Sequence, residues 1–388
     1  MNWKESPLLN ENKLESLTKF IKANEVSSKV QEIFKDLLEV ETNRDFLTID
    51  HNQRKVNVNM SLSTFERIQL SKLLSLTFPY SNISSSFHDI FPLKEDKVTQ
   101  VVEELSTKGF HVCENLLEEE VCNNLITEIE KITFHTKKST KKITGLNALN
   151  VSSISGNTAW ATNQQDLLKI KEVQEIAFDE SLLNLVGQFL GAEPVLCQTN
   201  CWWSVANSTH RSNLSANAQL FHQDTEYLKF VKVFVYLTDV EKENGPHQYV
   251  QGTSTTAQDA LGGDYRPSNR VKDQDVEGLF GKENILTFTG KKGSVIIEDT
   301  FGLHKGTPVE EGSRLLLQLE YCNSLYFHAG YSFGLEGLLP EAYILAEKYP
   351  RIFSNFTKDV SSLNEAKFLH FNSRTIVQKI KDRIKRFL

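Results

Sequence analysis

Apolar residues in the first quarter of the chain recur three and four positions apart, which is the spacing of one face of a helix. Two such runs are Val30, Ile33, Phe34, Leu37 and Leu38, and then Phe65, Ile68, Leu70, Leu73 and Leu74. Residues 1–95 are therefore predicted to form a helical N-terminal extension. The segment contains no recognisable chemistry, which favours a helical cap on the main domain or a dimer surface.

From about residue 96 the pattern changes to short apolar runs separated by glycine and proline. Helices are expected over Leu117–Phe134 and over Leu182–Leu190, the second closed by Gly191. Strands are expected at Gly109–Val112, Pro194–Val205, Gln219–Phe230, Val231–Val240, Ile285–Thr289, Ser294–Glu298 and Leu315–Tyr321. Many short strands with turns, preceded by helices, predict an α+β fold in which residues 96–335 form a jelly roll with flanking helices.

Two further stretches interrupt or follow this pattern. Residues Thr255–Lys282 are polar and contain glycine, and a loop of that length in a compact domain is usually functional, often a lid. Residues 336–388 are predicted to form a helical C-terminal extension that ends in a basic amphipathic helix. That helix is expected to dock its apolar face on the body, with binding to anionic lipid as the alternative.

Composition and charge narrow the class of protein. The 388 residues have a net charge of −7, which argues against a general nucleic-acid-binding protein because such proteins present a basic surface. The five cysteines include no C-x-x-C pair, so they are expected to be reduced thiols in a reducing compartment. No stretch has the apolar run of a signal peptide or approaches the ~18 apolar residues of a membrane span. A cytoplasmic location is therefore expected.

A histidine and an aspartate two residues apart form the most informative motif of the chain. His222 and Asp224 would share one face of the predicted strand, because side chains alternate along a strand. His304 follows a turn and an apolar strand, which deliver it at that strand's far end. Two imidazoles and one carboxylate form the facial triad that holds Fe(II) and leaves positions open for a co-substrate and O2.

An arginine ten residues after His304 points to the identity of the co-substrate. Arg314 opens the aliphatic run 315–319, and a buried guanidinium needs an anion as its partner. No acid stands conspicuously placed to be that partner, so a carboxylate of a small molecule is the expected ligand. The combination of metal site and carboxylate anchor suggests a 2-oxoglutarate-dependent oxygenase.

These motifs, taken in order, resemble the phytanoyl-CoA dioxygenase-like family of Fe(II)/2-oxoglutarate oxygenases. The resemblance runs from about Gly109 to Asn323, with its specific parts in 219–254 and 293–321, and includes the turn Asn244-Gly245-Pro246. It implies a double-stranded β-helix that uses Fe(II), 2-oxoglutarate and O2 and releases succinate and CO2. Hydroxylation is the expected outcome, with desaturation and ring closure left open, because halogenases of this type replace the carboxylate ligand with a small residue.

The resemblance also assigns roles to individual residues. It makes His222, Asp224 and His304 the iron ligands and Arg314 the partner of the 5-carboxylate of 2-oxoglutarate, with Thr307 adding a hydrogen bond. Gln198 and Asn200 share one face of a strand, where they could bind the 1-carboxylate or a water, or serve a structural role.

Other residues are candidates for the substrate pocket. Trp202 and Trp203 take opposite faces of one strand, so one packs in the core and the other walls the pocket, and Trp203 is assigned to the wall. Phe234, and similarly Lys232, are further wall candidates. The substrate is expected to be a small molecule, and an anionic group on it could meet Tyr265, Arg266 or Arg270 of the predicted lid. A solvated loop charge is the alternative for these basic residues.

Two positions depart from the family pattern. Residues 251–254 read Gln-Gly-Thr-Ser where the family commonly has Pro-Gly-Ser-His, and His247 stands where an aliphatic residue is usual. Both affect the lid and the substrate pocket rather than the iron site. His247 is expected to be an ordinary loop histidine.

Three other functions compete with an iron oxygenase. Residues 330–334 spell the G-x-S-x-G nucleophile motif around Ser332, but little chain follows it and no strand–helix alternation accompanies it. A zinc hydrolase could use the same three ligands, although Arg314 would then have no purpose. A β-helix that serves as a non-catalytic binding or scaffold protein is the third alternative.

Overall fold

Two antiparallel β-sheets face each other in the computed structural model, which describes residues 3–42, 62–136, 142–153, 159–206, 219–262, 265, 269–326 and 333–357. The strands are β1 Phe110–Cys113, β2 Thr133–His135, β3 Lys142–Thr144, β4 Ala159–Thr162, β5 Val195–Val205, β6 Phe230–Tyr236, β7 His247–Val250, β8 Ile285–Phe288, β9 Val295–Glu298, β10 His304–Gly306, β11 Ser313–Cys322, β12 Phe333–Gly334 and β13 Phe356–Thr357. The larger sheet has eight strands in the order β1-β9-β6-β11-β5-β4-β2-β3, the smaller has three in the order β10-β7-β8, and β12 and β13 form a separate parallel pair.

Helices cover the outer face of the large sheet and extend the chain on its N-terminal side. The α-helices are α1 Glu11–Ala23, α2 Ser28–Thr42, α3 Thr64–Thr77, α4 Glu95–Thr107, α5 Glu119–Ile129, α6 Gln164–Leu168, α7 Lys171–Ala177, α8 Glu180–Leu190, α9 Thr253–Leu261, α10 Asp273–Phe280 and α11 Pro340–Lys348. Short 3-10 helices lie at Trp3–Glu5, Val151–Ser153, Lys242–Asn244 and Lys282–Asn284. No described helix is long and apolar enough to cross a membrane.

Alternation along β6 shows how the two layers are built. Val231, Val233 and Val235 pack against the helices in the largest apolar cluster. Phe234 and Tyr236 face the other way and pack with residues of the small sheet, including Tyr249 and Phe288. Both faces of this strand are buried, so it is apolar almost throughout. The predicted α+β jelly-roll core with flanking helices is confirmed.

The predicted helical N-terminal segment contains the helices α1, α2 and α3, while residues 78–94 form none. The helix α3 is rotated from its expected orientation. Leu70, Leu73 and Leu74 are buried as the spacing predicts, whereas Phe65 and Ile68 are 64% and 55% exposed. Their place on the packed face is taken by Arg67 and Gln69. The Arg67 guanidinium donates hydrogen bonds to the carbonyls of residues 227 and 228, at 3.2 and 3.1 Å, so this polar contact sets the rotation of the helix.

The strand predicted at Gln219–Phe230 is wrong for most of its length. Only isolated bridges form there, Phe221 with Val271 and His222 with His304, and regular pairing begins at Phe230. The run that follows His222 is polar, and its backbone pairs with a loop rather than a ladder. The amide of Asp224, for example, donates to the carbonyl of Thr300 at 2.9 Å.

The predicted loop Thr255–Lys282 is also corrected, because it contains most of α9 and all of α10. A few apolar residues anchor these short helices: Ala257 and Val276 are buried with Phe221 and Leu303 in a small cluster. The basic amphipathic helix predicted at the C-terminus lies outside the described residues, which end at 357. The domain boundaries at 95/96 and 335/336 stay predictions.

Candidate metal centre

Three side chains from two parts of the chain converge beside the small sheet. His222 Nε2 lies 3.5 Å from one carboxylate oxygen of Asp224, and His304 Nε2 lies 3.2 Å from the other. The candidate ligand atoms all lie within 4.8 Å of one another. Neighbouring positions of an octahedron are about 3 Å apart when metal–ligand bonds are about 2.1 Å, so the spacing suits one metal ion.

Backbone pairing, rather than a shared strand face, brings the two histidines together. The amide of each donates to the carbonyl of the other, at 3.1 and 3.0 Å, which forms a single antiparallel bridge between His222 and His304. Their rings are 4.4 Å apart. The His304 end of this bridge opens β10, so the small sheet fixes its position.

Backbone carbonyls set the tautomer of both rings. Nδ1 of His222 lies 2.9 Å from the carbonyl of Leu220, and Nδ1 of His304 lies 2.9 Å from the carbonyl of Gly302. A carbonyl only accepts, so Nδ1 carries the proton in each ring and the Nε2 lone pair is available to a metal.

Burial and neighbouring charges fix the protonation states before a metal binds. Burial lowers the pKa of His222 well below its usual value, and the adjacent His304 lowers it further. Burial raises the pKa of Asp224, but Lys232 and His304 outweigh it and hold that pKa well below its usual range. Burial likewise lowers the pKa of Lys232, but the carboxylates of Asp224, Glu226 and Glu320 outweigh it and raise that pKa. Asp224 is therefore an anion and Lys232 a cation at neutral pH.

The loop that delivers His304 depends on a glycine. A side chain at Gly302 would collide with the ring of Tyr249, which is fully buried and donates to the carbonyl of Asp299 at 2.8 Å. Only glycine lets this loop approach Tyr249 so closely.

Replacing Gly302 with alanine is expected to destabilise the protein by about 1–3 kcal/mol, the usual cost of overpacking a filled core. Thermal unfolding would measure the loss. Gly278→Ala is the matched control, because that glycine is exposed in α10 with no neighbouring atom within 4 Å of the new methyl group. Alanine there is expected to be neutral or stabilising, and equal losses in the two variants would contradict the steric argument.

Arg314 is a buried cation with incomplete hydrogen bonding. It is 5% exposed, and one terminal nitrogen donates to the carbonyl of Gly245 while the other lies 3.4 Å from the Ser204 hydroxyl. Its Nε has no partner, and within the described chain no acid lies within ion-pair distance. Burial lowers the pKa of Arg314. The turn at Gly245 is tight, with φ of +75° and the carbonyl of Thr307 2.7 Å from where a β-carbon would lie.

The other predicted co-substrate residues lie near this cation or on the same inner surface. The Thr307 hydroxyl donates to the carbonyl of Pro246 at 2.8 Å, so its proton holds the turn. Gln198 and Asn200 are half-buried on the same face of β5 as Ser204. That face looks into the space between the sheets.

The predicted pocket residues are placed differently from one another. The assignment of Trp203 to the pocket wall is wrong, because Trp203 is buried with Trp160 in the helix-facing core. The half-buried Trp202 lies on the inner face instead. Trp202 shares its face with Gln198 and Asn200, so strand alternation does indicate which tryptophan faces inward. Phe234 does face inward, with its ring 5.1 Å from that of His247.

The lid candidates are only partly covered by the described residues. Tyr265 donates to the side chain of Gln223 at 2.9 Å, between the two ligand positions 222 and 224. Arg270 is exposed, yet its charge contributes to the lowered pKa of His222. Arg266 and the serine of the G-x-S-x-G motif, Ser332, lie outside the described residues.

His247 is not a loop residue. It opens β7, its ring is stacked 5.6 Å from that of His304, and its Nε2 lies 2.9 Å from the carboxylate of Glu298. The small sheet pairs His247 with Gly306 in β10, which explains its inward position.

Sequence reasoning missed two acids beside the site, the buried Glu320 and the half-buried Glu226, and treated Lys232 only as a pocket wall. Lys232 and Glu320 each interrupt an apolar strand, in Phe-Val-Lys-Val-Phe-Val-Tyr and Leu-Leu-Leu-Gln-Leu-Glu-Tyr respectively. A charge within a strand buried on both faces needs a partner inside the protein, and that signal could have found them.

Comparison with known proteins places the chain in a family. No curated protein sequence matches it significantly. Among solved structures it is similar to HygX from Streptomyces hygroscopicus with nickel and 2-oxoglutarate bound, at 16% identity over 63% of this chain and 91% of that chain, with a TM-score of 0.40. It is also similar to the epimerase SnoN in complex with Fe3+, alpha ketoglutarate and nogalamycin RO, at 13% identity over 59% of this chain and 84% of that one, with a TM-score of 0.42. Similarities this distant carry no argument about substrate or reaction.

The family match is more specific than these structural similarities. The family model described as phytanoyl-CoA dioxygenase (PhyH) matches residues 105–312, which is more than half of the 388 residues. This range contains His222, Asp224 and His304. The chain therefore belongs to the phytanoyl-CoA dioxygenase family of non-haem iron, 2-oxoglutarate-dependent enzymes.

Proposed function

We propose that the protein hydroxylates an unactivated C–H bond of a small molecule, with Fe(II) held by His222, Asp224 and His304 and 2-oxoglutarate held by Arg314. One observation supports this above all others. Two imidazole Nε2 atoms and one carboxylate converge inside a barrel that also buries a guanidinium without an acidic partner among the described residues.

The side chains fit both groups by their chemistry. Two neutral nitrogen ligands and one carboxylate suit Fe(II) and leave part of the coordination sphere open. The guanidinium has an unpartnered Nε and a fixed planar fork, which suits a carboxylate. A zinc hydrolase would use the same three ligands but would leave the buried charge of Arg314 without a function.

When bound, iron with 2-oxoglutarate and O2 supplies the oxidation of a C–H bond and the release of succinate and CO2. The protein's own contribution is to orient and to exclude water. Carbonyl contacts at Nδ1 orient His222 and His304, and apolar neighbours such as Phe234 and Leu316 line the inner space. The intact carboxylate of Asp224 favours hydroxylation over halogenation; desaturation and ring closure are further outcomes of the same site.

We propose further that the substrate carries an anionic group. Arg270 is exposed, its charge contributes to the lowered pKa of His222, and it interacts electrostatically with Asp224 and Glu226. A substrate carboxylate or phosphate would meet this cation at the side of the site where Tyr265 also lies.

An anaerobic titration with Fe(II) and 2-oxoglutarate tests the proposal. The wild-type protein is expected to develop a visible metal-to-ligand charge-transfer band that needs both additions, and His222→Ala is expected to lose it. Zn(II) in place of Fe(II) is the control and gives no such band, because zinc has no accessible redox state. A folded, iron-loaded protein without the band would instead favour a zinc enzyme or a non-catalytic binding protein.

A further inference from the structure

We propose that Lys232 is a positioning residue for the metal ligand Asp224, and that the buried Glu320 and the half-buried Glu226 hold it in place. The inference rests on the proposed function, since it assumes that Asp224 binds iron. In this role the Lys232 ammonium restrains the Asp224 carboxylate and withdraws negative charge from it.

The contact between Lys232 and Asp224 is short and buried. The ammonium nitrogen lies 2.6 Å from the Asp224 oxygen that is also nearest to His304, and Lys232 is 6% exposed. The other Asp224 oxygen faces His222. The ammonium hydrogen bond therefore restrains one oxygen of the carboxylate and leaves the other facing His222.

Strand register explains how a lysine comes to lie inside the barrel. Lys232 is on the inward face of β6, with Phe234 and Tyr236 of the same strand. Its cross-strand neighbours are Glu320 in β11 and Glu298 in β9. The sheet therefore holds Lys232 between two acids at one level, independently of the loop that carries Asp224.

Two acids balance the lysine besides the ligand. The ammonium nitrogen lies 3.7 Å from a carboxylate oxygen of Glu320 and 3.7 Å from one of Glu226. Glu320 is fully buried, and the side-chain amide of Gln318 donates to the same Glu320 oxygen at 3.3 Å. These contacts keep the ammonium at a fixed point, so that the hydrogen bond to Asp224 has a fixed direction.

This arrangement has a consequence at the metal that a purely structural ion pair would not have. An ammonium bound to one oxygen draws electron density from the whole carboxylate, so the ligand donates less charge to the metal. Removing the ammonium should make the metal easier to oxidise. A lysine that only neutralised buried acids would affect the free energy of unfolding and leave the metal's electronic properties unchanged.

The position of the Fe(II)–2-oxoglutarate charge-transfer band distinguishes these roles. Lys232→Met alone leaves Glu320 as an uncompensated buried charge, which threatens the fold, so the test uses Lys232→Met combined with Glu320→Gln. In this double variant the band is expected to move to longer wavelength, because an electron leaves a more electron-rich metal more easily. Glu320→Gln alone keeps the contact with Asp224 and is expected to keep the wild-type band position.

A second buried lysine gives a matched control. Lys305 is 5% exposed and pairs with Asp273 at 2.7 Å, and Asp273 does not belong to the ligand cluster. Lys305→Met is expected to leave the band position unchanged. If the wild-type protein shows the band and the double variant shows it at the same position, the role of Lys232 is overturned while the proposed function stands. If the wild-type protein shows no band, the proposed function is overturned as well.

Discussion

Replacing Asp224 with alanine is expected to abolish the iron-dependent conversion of 2-oxoglutarate to succinate. The substitution removes the only carboxylate of the described ligand cluster and leaves the Lys232 ammonium facing the site, where it repels a cation. Substitutions outside the ligand set already cost 10–100-fold in metal affinity or activity, so a loss of more than about 100-fold is expected here. Succinate produced at saturating Fe(II) and 2-oxoglutarate is the measurement.

A second aspartate controls for the loss of a charged side chain. Asp273 in α10 pairs with Lys305 and lies outside the ligand cluster, so Asp273→Ala is expected to retain succinate formation near the wild-type level. Thermal unfolding of Asp224→Ala checks the fold, because Lys232 keeps Glu226 and Glu320 as partners in that variant. Iron-dependent turnover retained by Asp224→Ala would show that Asp224 is not an iron ligand.

The sequence predicts the elements of this fold best where burial leaves a strong pattern. The strand β6 is apolar except for Lys232, β11 contains the apolar run 315–317, and α8 ends at Gly191 in the left-handed conformation, as the sequence indicates. The helices α9 and α10 were predicted as loop because they bury few side chains, among them Ala257 and Val276, so their apolar spacing is weak. Such helices are positioned by tertiary contacts that a local pattern does not contain.

The sequence predicts which residues form the candidate site. It does not predict the geometry that brings them together. His222 and Asp224 do lie together with His304, but a backbone bridge between the histidines does this, not a regular strand. The assignment of Trp203 failed although the sequence contained the signal. Trp202, not Trp203, alternates in step with the polar residues Gln198 and Asn200, which mark the inner face of β5.

The N-terminal helices also do more than the sequence indicates. Arg67 of α3 holds the backbone of residues 227 and 228 and stacks on Phe301, with 4.3 Å between the guanidinium carbon and the ring centre. Residues 227 and 228 lie in the loop that follows Asp224, and Phe301 lies in the loop that precedes His304. The extension therefore braces both loops that carry the candidate metal ligands, which a list of apolar helix positions could not reveal.

Replacing Arg314 with methionine is expected to weaken 2-oxoglutarate binding while leaving Fe(II) binding intact. Truncating one partner of a buried, hydrogen-bonded charge pair costs about 2–5 kcal/mol, which corresponds to about a 30- to 4,000-fold rise in the dissociation constant. The metal ligands come from other strands and loops, so the iron site should survive. The dissociation constant for 2-oxoglutarate is measured from the charge-transfer band at saturating Fe(II).

Two further variants separate the shape of the guanidinium from its charge and from general packing. Arg314→Lys keeps the charge but loses the fork that spans a carboxylate, so it is expected to bind 2-oxoglutarate more tightly than the methionine variant and more weakly than wild type. Arg351→Met removes another buried arginine, 7% exposed and paired with Glu41 outside the ligand cluster, and should lower stability without a comparable change in this dissociation constant. If Arg314→Met bound 2-oxoglutarate as tightly as wild type, the 5-carboxylate would have to bind elsewhere, and the buried charge of Arg314 would again lack a partner. The experiment therefore tests whether that charge is retained in the core to bind the co-substrate.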